Sequence, residues 1–391
     1  MSLSFDLKDF AAYDEARSRY VLEAGNYVVR VGNSSRNTLP VATVAIGEEH
    51  CVAECMPIRG AQGRVREIDA PVRFCGEAEG ETLSLDKDAV TAVKYAPAAE
   101  EPILPEIAKM SDKELAALCV GDPAIMRGNI ADVPGACGQI HKKTCKKYGY
   151  RPAVMADGPA GLRLAMESYV EPSGKVKMSG RIPQDLVKSK RIFRLIEKIW
   201  SKKSRKAKTV NQFCTAWPSA TVQAQSFFPG LVQKIGAATA EEMRQFGVQI
   251  WLAPGMNIQR FPLCGRNYEY YSEDPLLSAK MASALTLGVQ ANPNCAVTIK
   301  HYCCNNQEDN RMKSSSEINE RALREIYLRA FGRTVREAHP KCVMSSYNKV
   351  NGVYVNSRHD LISDVLRGEF GFDGVVMTDW QTVARGQAVA G

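Results

Sequence analysis

Two carboxylates stand at the ends of two short apolar runs. Asp379 closes Gly374-Val375-Val376-Met377-Thr378-Asp379, followed by Trp380, and Asp157 closes Pro152-Ala153-Val154-Met155-Ala156-Asp157. Short runs of β-branched and sulfur side chains read as strands buried on both faces of a parallel sheet. An acid at the carboxyl end of such a strand sits where barrel enzymes keep their chemistry.

Further hydrogen-bonding clusters follow other apolar runs. Gly158-Pro159-Ala160-Gly161-Leu162-Arg163 comes after Asp157, and Gly265-Arg266-Asn267-Tyr268-Glu269 lies farther on. Lys300-His301-Tyr302 is followed by Asn305 to Arg311, and Met344-Ser345-Ser346-Tyr347-Asn348 ends another run. Sugar hydroxyls donate and accept at once. Carboxylates, Arg, Lys and His in a partly dry pocket suit them, because charge-assisted hydrogen bonds are the strong ones. The Trp380 indole would offer an apolar wall to the C–H face of a ring. Each residue alone has a plainer reading. Arg266 and Glu269 could be a structural ion pair, His301 a satisfied half-buried histidine, and Asp274 before Pro275 a helix cap. Their convergence on one face of one sheet is what favours a sugar site.

The same residues resemble glycoside hydrolase family 3 over roughly residues 110–391. Met155 to Arg163 looks like the family's first-strand signature, Lys300-His301 with Asn305 to Arg311 like its sugar-binding loop, and Gly374 to Trp380 like its nucleophile strand. The resemblance implies a retaining β-glycosidase with Asp379 as nucleophile. It implies that Asp157, Arg163, Arg266, Lys300, His301 and Arg311, joined by Tyr347 and Met344, hold hydroxyls of one non-reducing sugar, with Trp380 lining the wall. The substrate would be a β-linked gluco-oligosaccharide or an aryl or alkyl β-glucoside, with a β-xyloside as the alternative. No metal or organic cofactor is implied. Asp6 to Asn37 looks like the end of a fibronectin type III-like domain, placed before the barrel as in permuted family members. That order implies an α/β sandwich domain upstream. The acid/base carboxyl would come from there, and none is assigned here.

For attack on an anomeric carbon Asp379 must be ionised, and neighbouring Arg and Lys are expected to keep its pKa low. Two rivals come from other classes. One is a sugar-binding fragment that hydrolyses nothing. The other is a nucleic-acid binder using Lys188–Lys208, where ten Lys or Arg accompany one acid, Glu197. A solvated insertion is the favoured reading of that segment, so no nucleic-acid partner is expected.

The elements that must position these groups alternate. Apolar runs centred near Val154, Phe213, Leu252, Val297, Met344 and Val376 are separated by helical patterns. Leu231, Ile235, Ala238 and Phe246 share one helix face before a Gly247 cap, and Leu323, Ile326, Tyr327, Ala330 and Phe331 share another. Strand–helix alternation predicts an α/β fold, a (β/α) TIM-like barrel over 106–391. With six units and an end eleven residues past Trp380, it is expected to be truncated. A helix with a capping box is predicted from Ser111 and Glu114. Residues 1–55 read as strands of a partial β-sandwich, and 56–105 as a linker.

The chain has 391 residues and a net charge of +8, and is 45% hydrophobic. It contains no apolar run of about eighteen residues, which argues against a membrane span. The first residues lack the pattern of a secretory leader. Twelve scattered Cys show no disulfide framework and read as buried free thiols in a reducing compartment, so a cytoplasmic location is expected. The sequence is compatible with a homo-oligomer.

Overall fold

The computed structural model describes residues 5–34, 36–61, 65, 81–85, 90–100, 102–122, 133–173, 176–179, 204–380 and 382. Residues 188–203 of the basic segment Lys188–Lys208 lie outside the described residues.

A six-stranded sheet positions the candidate site. Its strands are β1 (Gly138–Gln139), β2 (Val154–Ala156), β3 (Ile250–Trp251), β4 (Ala296–Tyr302), β5 (Cys342–Ser345) and β6 (Val375–Thr378), and each pairs with the next in sequence. β2 to β6 run parallel, while β1 is antiparallel to β2. Alternation along the strands sorts two apolar sets. Val154, Ala156, Trp251, Val297, Ile299, Val343 and Val376 face the helices and join the large core. Met155, Ile250, Leu252, Ala296, Cys342, Met344 and Met377 face inward and pack as a second cluster with Cys137 and Trp380. The two ends of the sheet approach each other: a Cβ on Gly138 would lie 3.3 Å from the Trp380 ring. The fold is therefore mixed α/β with a curved partial-barrel sheet, which does not close among the described residues.

The expected strand near Phe213 is not part of this sheet. Lys208–Asn211 is exposed throughout and pairs with Glu167–Val170 in a separate antiparallel sheet, which also holds Val176–Ser179, and Phe213 is 73% exposed. A strand so exposed lacks the two-sided apolar burial a central parallel strand needs.

Two helices cross tightly outside the sheet, α1 (Pro229–Phe246) and α2 (Pro275–Gln290). Gly247 caps α1 with φ 74°, and Asp274 caps α2 by accepting from the Leu276 and Leu277 N–H groups at 2.7 and 2.8 Å. The buried face of α1 is Val232, Ile235, Gly236, Thr239, Ala240 and Met243, whereas Leu231 and Ala238 are exposed, which corrects the expected face. The glycines explain the rotation. A Cβ on Gly236 would fall 2.5 Å from the Leu285 carbonyl oxygen, and one on Gly288 2.1 Å from that of Gln233. Of the other predicted face, Leu323, Ala330 and Phe331 are buried, while Ile326 and Tyr327 are half-buried. The predicted capping box at Ser111–Glu114 opens the helix Asp112–Val120.

The N-terminal strands form two small sheets. One joins Ala12–Asp14, Arg19–Leu22, His50–Glu54 and Val93–Lys94, and the other Gly25–Ser34, Asn37–Ile46 and Thr82–Ser84. Leu22, Ile46 and Ala11 are buried in a shared cluster with Tyr20, Tyr27, Val44 and Val52. Residues 56–105 are thus not linker throughout, since Thr82–Ser84 and Val93–Lys94 return to these sheets. The β unit docks on the helical layer through Arg324. This side chain pairs with Glu320 at 2.8 Å and Glu369 at 2.7 Å and lies 4.7 Å from the Tyr13 ring centroid. Tyr13 donates its hydroxyl to Glu320 at 2.6 Å.

Among the described residues no helix is long and apolar enough to cross a membrane. The eleven described cysteines are free, and Cys119 is exposed rather than buried as expected.

Candidate active site

The loop after β2 doubles back at Gly158, whose φ is 111° and whose Cβ, if present, would meet the Gly161 carbonyl oxygen at 2.1 Å. This turn lets the Arg163 N–H donate to the Asp157 carbonyl oxygen at 2.8 Å and returns the Arg163 guanidinium to the Asp157 carboxylate. Trp251 fixes the loop by donating Nε1–H to the Gly158 carbonyl at 2.9 Å. From β4, the buried Lys300 places Nζ 2.9 Å from Asp157 Oδ1. Burial alone would raise the Asp157 pKa, but the Lys300 ammonium and the Arg163 guanidinium outweigh it and hold the carboxyl at about 2.

His301, next along β4, is 1% exposed. Its Nε2 lies 3.0 Å from Arg266 Nη1, and its Nδ1 lies 3.1 Å from the Tyr270 hydroxyl and 3.4 Å from Asn257 Oδ1. A guanidinium can only donate, so Nε2 accepts and the ring proton sits on Nδ1. Burial, then Arg266, Lys300 and Arg311, push the imidazole pKa well below its usual value, and the ring is neutral. Asn257 clamps the same residue by its backbone, accepting from the His301 N–H at 2.8 Å and donating to its carbonyl at 2.9 Å.

Arg266 faces Glu269 at 3.4 Å and Glu308 at 3.9 Å. Glu308 accepts from Arg311 at 2.7 Å, and the Arg311 guanidinium stacks 4.7 Å from the Tyr347 ring centroid. The Tyr347 hydroxyl in turn bonds the Asp379 side chain. A carboxylate–guanidinium relay thus runs from the loop Asn305–Arg311 to the end of β6.

Asp379 is buried at that end. The Trp380 N–H donates to its Oδ1 at 2.8 Å, and its own N–H donates to the Ser345 carbonyl at 3.2 Å. Its Oδ2 lies 3.8 Å from His301 Nε2, whose lone pair is turned to Arg266. Burial raises the Asp379 pKa, and the Trp380 N–H, Lys300, Arg266 and Tyr347 only reduce that rise. This overturns the expectation of a carboxyl held low by its cations. They are shared with Asp157, Glu269 and Glu308, while desolvation falls on Asp379 in full.

All the residues singled out in the sequence lie on this rim or just beneath it. Met344 is buried in the inward cluster, and the half-buried Trp380 packs on the same cluster. Arg163 is the most open, with its side chain 74% exposed. Asn257 and Tyr270 are site members that sequence reasoning missed. The one available signal was an amide inside the apolar run Trp251 to Ile258, which implies a buried hydrogen-bond duty.

A family model described as the glycosyl hydrolase family 3 N terminal domain matches residues 183–390. The chain belongs to glycoside hydrolase family 3. It is 35% identical over 274 residues to the β-glucosidase A of Butyrivibrio fibrisolvens, covering 70% of this chain and 27% of that protein. It is 37% identical over 240 residues to an exo-α-(1→6)-L-arabinopyranosidase of Bifidobacterium longum, covering 61% of this chain and 27% of that protein. A solved β-glucosidase from Paenibacillus barengoltzii superposes with a TM-score of 0.68 at 28% identity, over 96% of this chain and 39% of the other. The chain thus spans between about a quarter and two fifths of the length of these family 3 relatives.

Proposed function

We propose that this chain carries the nucleophile half of a retaining, exo-acting β-glycosidase that removes terminal non-reducing β-D-glucosyl units. The observation that supports it most is the buried Asp379 carboxylate, held by the Trp380 N–H and the Tyr347 hydroxyl, with His301 and the Lys300–Asp157 pair on the same rim. Ionised Asp379 attacks C1 of the sugar. The C1–oxygen bond to the aglycone breaks, an aspartyl ester forms, and water then cleaves that ester to restore the carboxylate, with net retention.

Lys300, Arg163 and Asp157 supply adjacent donors and acceptors for vicinal hydroxyls, and Arg266, oriented by His301 and Glu269, supplies another. Arg311 keeps Tyr347 against Asp379, and Trp380 walls the ring. A leaving-group proton requires a second carboxyl about 5–5.5 Å from the nucleophile. Asp157 is tied to Lys300 and Arg163, Glu269 to Arg266 and Glu308 to Arg311, so none of these is free for that role. The acid belongs to another part of the protein in this reading. The barrel-type domain covers 106–391, and the preceding sheets are the fibronectin type III-like unit. Glucose is favoured by the β-glucosidase relatives.

The test is hydrolysis of an aryl β-glucoside by the protein and by Asp379→Asn. Loss of turnover by a factor of at least about 10³ is expected, as for removal of a covalent nucleophile. A variant that keeps near-native turnover ends the proposal.

A further inference from the structure

A cavity of about 170 Å³ lies where the N-terminal four-stranded sheet docks on the helical layer. Tyr20, Val52 and Tyr95 wall it from the sheet side, and Leu328, Arg336 and Phe370 from the helical side. One water needs about 10–15 Å³ of such space, so the seam is wide enough for a small ring. Its lining includes none of the rim residues around Asp157 and Asp379.

The charges in the wall do not cancel. Each lining acid has a guanidinium of its own. Asp9 meets Arg333 at 3.0 Å, Glu325 meets Arg321 at 3.2 Å and Glu369 meets Arg324 at 2.7 Å. Arg336 and Lys8 also line the cavity, and neither has a carboxylate partner among the described residues. The Arg336 guanidinium lies 5.4 Å from the Phe370 ring centroid. That ring rests against Gly332, where a Cβ would fall 2.7 Å from it. Burial raises the Tyr95 pKa, and Arg336 is the first cation to oppose the rise, so the phenol and the guanidinium are neighbours. Neither the Tyr95 nor the Tyr20 hydroxyl has a hydrogen-bond partner among the described residues, and the Tyr20 ring is fixed edge-on to Tyr13 at 5.1 Å.

Imperfect packing between two units is the plain account of a void at a seam. It explains the volume but not the chemistry of the wall. Buried hydroxyls are normally paired, and a guanidinium without an internal carboxylate suits one from outside.

We propose that this seam binds a small aromatic carboxylate, with Arg336 and the Tyr95 hydroxyl on the carboxylate and Leu328, Phe370 and Tyr20 around the ring. An inorganic anion would leave the apolar wall unmatched, and a neutral ring would leave Arg336 unmatched. The site shares no residue with the sugar rim, so it stands independently of the glycosidase reading.

Calorimetric titration of the protein with sodium benzoate, in excess glucose, tests this. One benzoate per chain is expected, with a Kd below about 1 mM. Arg336→Gln and Tyr95→Phe should each weaken binding about tenfold, the size of one lost hydrogen bond to a charged group. Arg244→Gln, which removes an exposed cation paired with Glu241 on α1, should leave it unchanged. Nuclear Overhauser contacts from the benzoate ring to the Leu328 methyls locate the ligand in the unsubstituted protein, whether or not a variant folds. No binding, displacement by glucose, equal binding of benzyl alcohol or of inorganic phosphate, an equal loss in Arg244→Gln, or no contact with Leu328 would each overturn the site.

Discussion

Lys300 and Asp157 are 143 residues apart in sequence, and their charged atoms meet at 2.9 Å across the carboxyl ends of β4 and β2. The pair joins two strands that do not touch, since β3 lies between them. It also fixes the charge state of the rim. The folded Asp157 carboxyl is held at about 2 against an ordinary 3.8, a depressed value, so its stabilisation is present above pH 4 and lost as pH falls towards 2. That shift is worth about 2 kcal/mol.

Lys300→Met leaves Asp157 with only the exposed Arg163. We expect a loss of about 3 kcal/mol at pH 7, the cost typical of removing one partner of a buried pair. The same variant should show a smaller loss of stability between pH 4 and 2 than the unsubstituted protein. Urea melts across that range check both, and an unchanged acid limb would contradict the assignment.

Asp379 has the opposite sign. Its folded pKa is raised, so its favourable contribution is complete at low pH and disappears as pH rises through the folded value. Asp379→Asn removes a buried ionised group at neutral pH. We expect a higher Tm than that of the unsubstituted protein at pH 7, with the difference shrinking as pH falls towards 4. For a chain of this size each kcal/mol is worth about 2–4 °C. The acid limb of activity should likewise lie above the ordinary aspartate range. Calorimetry at several pH values checks the first and a pH–rate profile the second.

Arg324 bears on the docking of the N-terminal sheets rather than on chemistry. It satisfies Glu320 and Glu369 and donates to the Met56 carbonyl while lying against Tyr13. Arg324→Met should cost about 3–5 kcal/mol by leaving two buried acids unpaired. It should also split thermal unfolding into two transitions, because the β unit loses its anchor. A single transition with an unchanged midpoint would contradict this.

The α1–α2 crossing gives a packing prediction away from both. Gly288→Ala places a methyl 2.1 Å from the Gln233 carbonyl oxygen, backbone that cannot swing aside. A loss of about 1–3 kcal/mol is expected in denaturant melts, and Leu287→Ala on the exposed side of α2 serves as the mild control.

The acids and the Lys-His pair were legible because each ends a run of inward and outward apolar residues, and period-two alternation places the next polar residue on the rim. Phe213 misled because its neighbours suggested a strand that exposes both faces. The face of α1 was misjudged because apolar spacing is blind to Gly236, whose missing side chain draws that side of the helix inward. The pKa of Asp379 depends on how Lys300 and Arg266 are shared with other carboxylates, which no local pattern records. Asn257 was invisible for a related reason, as its partner His301 is 44 residues away.

If Asp379 is the nucleophile, a slow covalent substrate will trap it. A 2-deoxy-2-fluoro-β-D-glucosyl fluoride needs no proton for its leaving group, so the experiment does not wait on the acid carboxyl. One fluoroglucosyl adduct per chain is expected, mapped by peptide mass spectrometry to Asp379 and absent from Asp379→Asn. No adduct, or an adduct on Asp157, would contradict it.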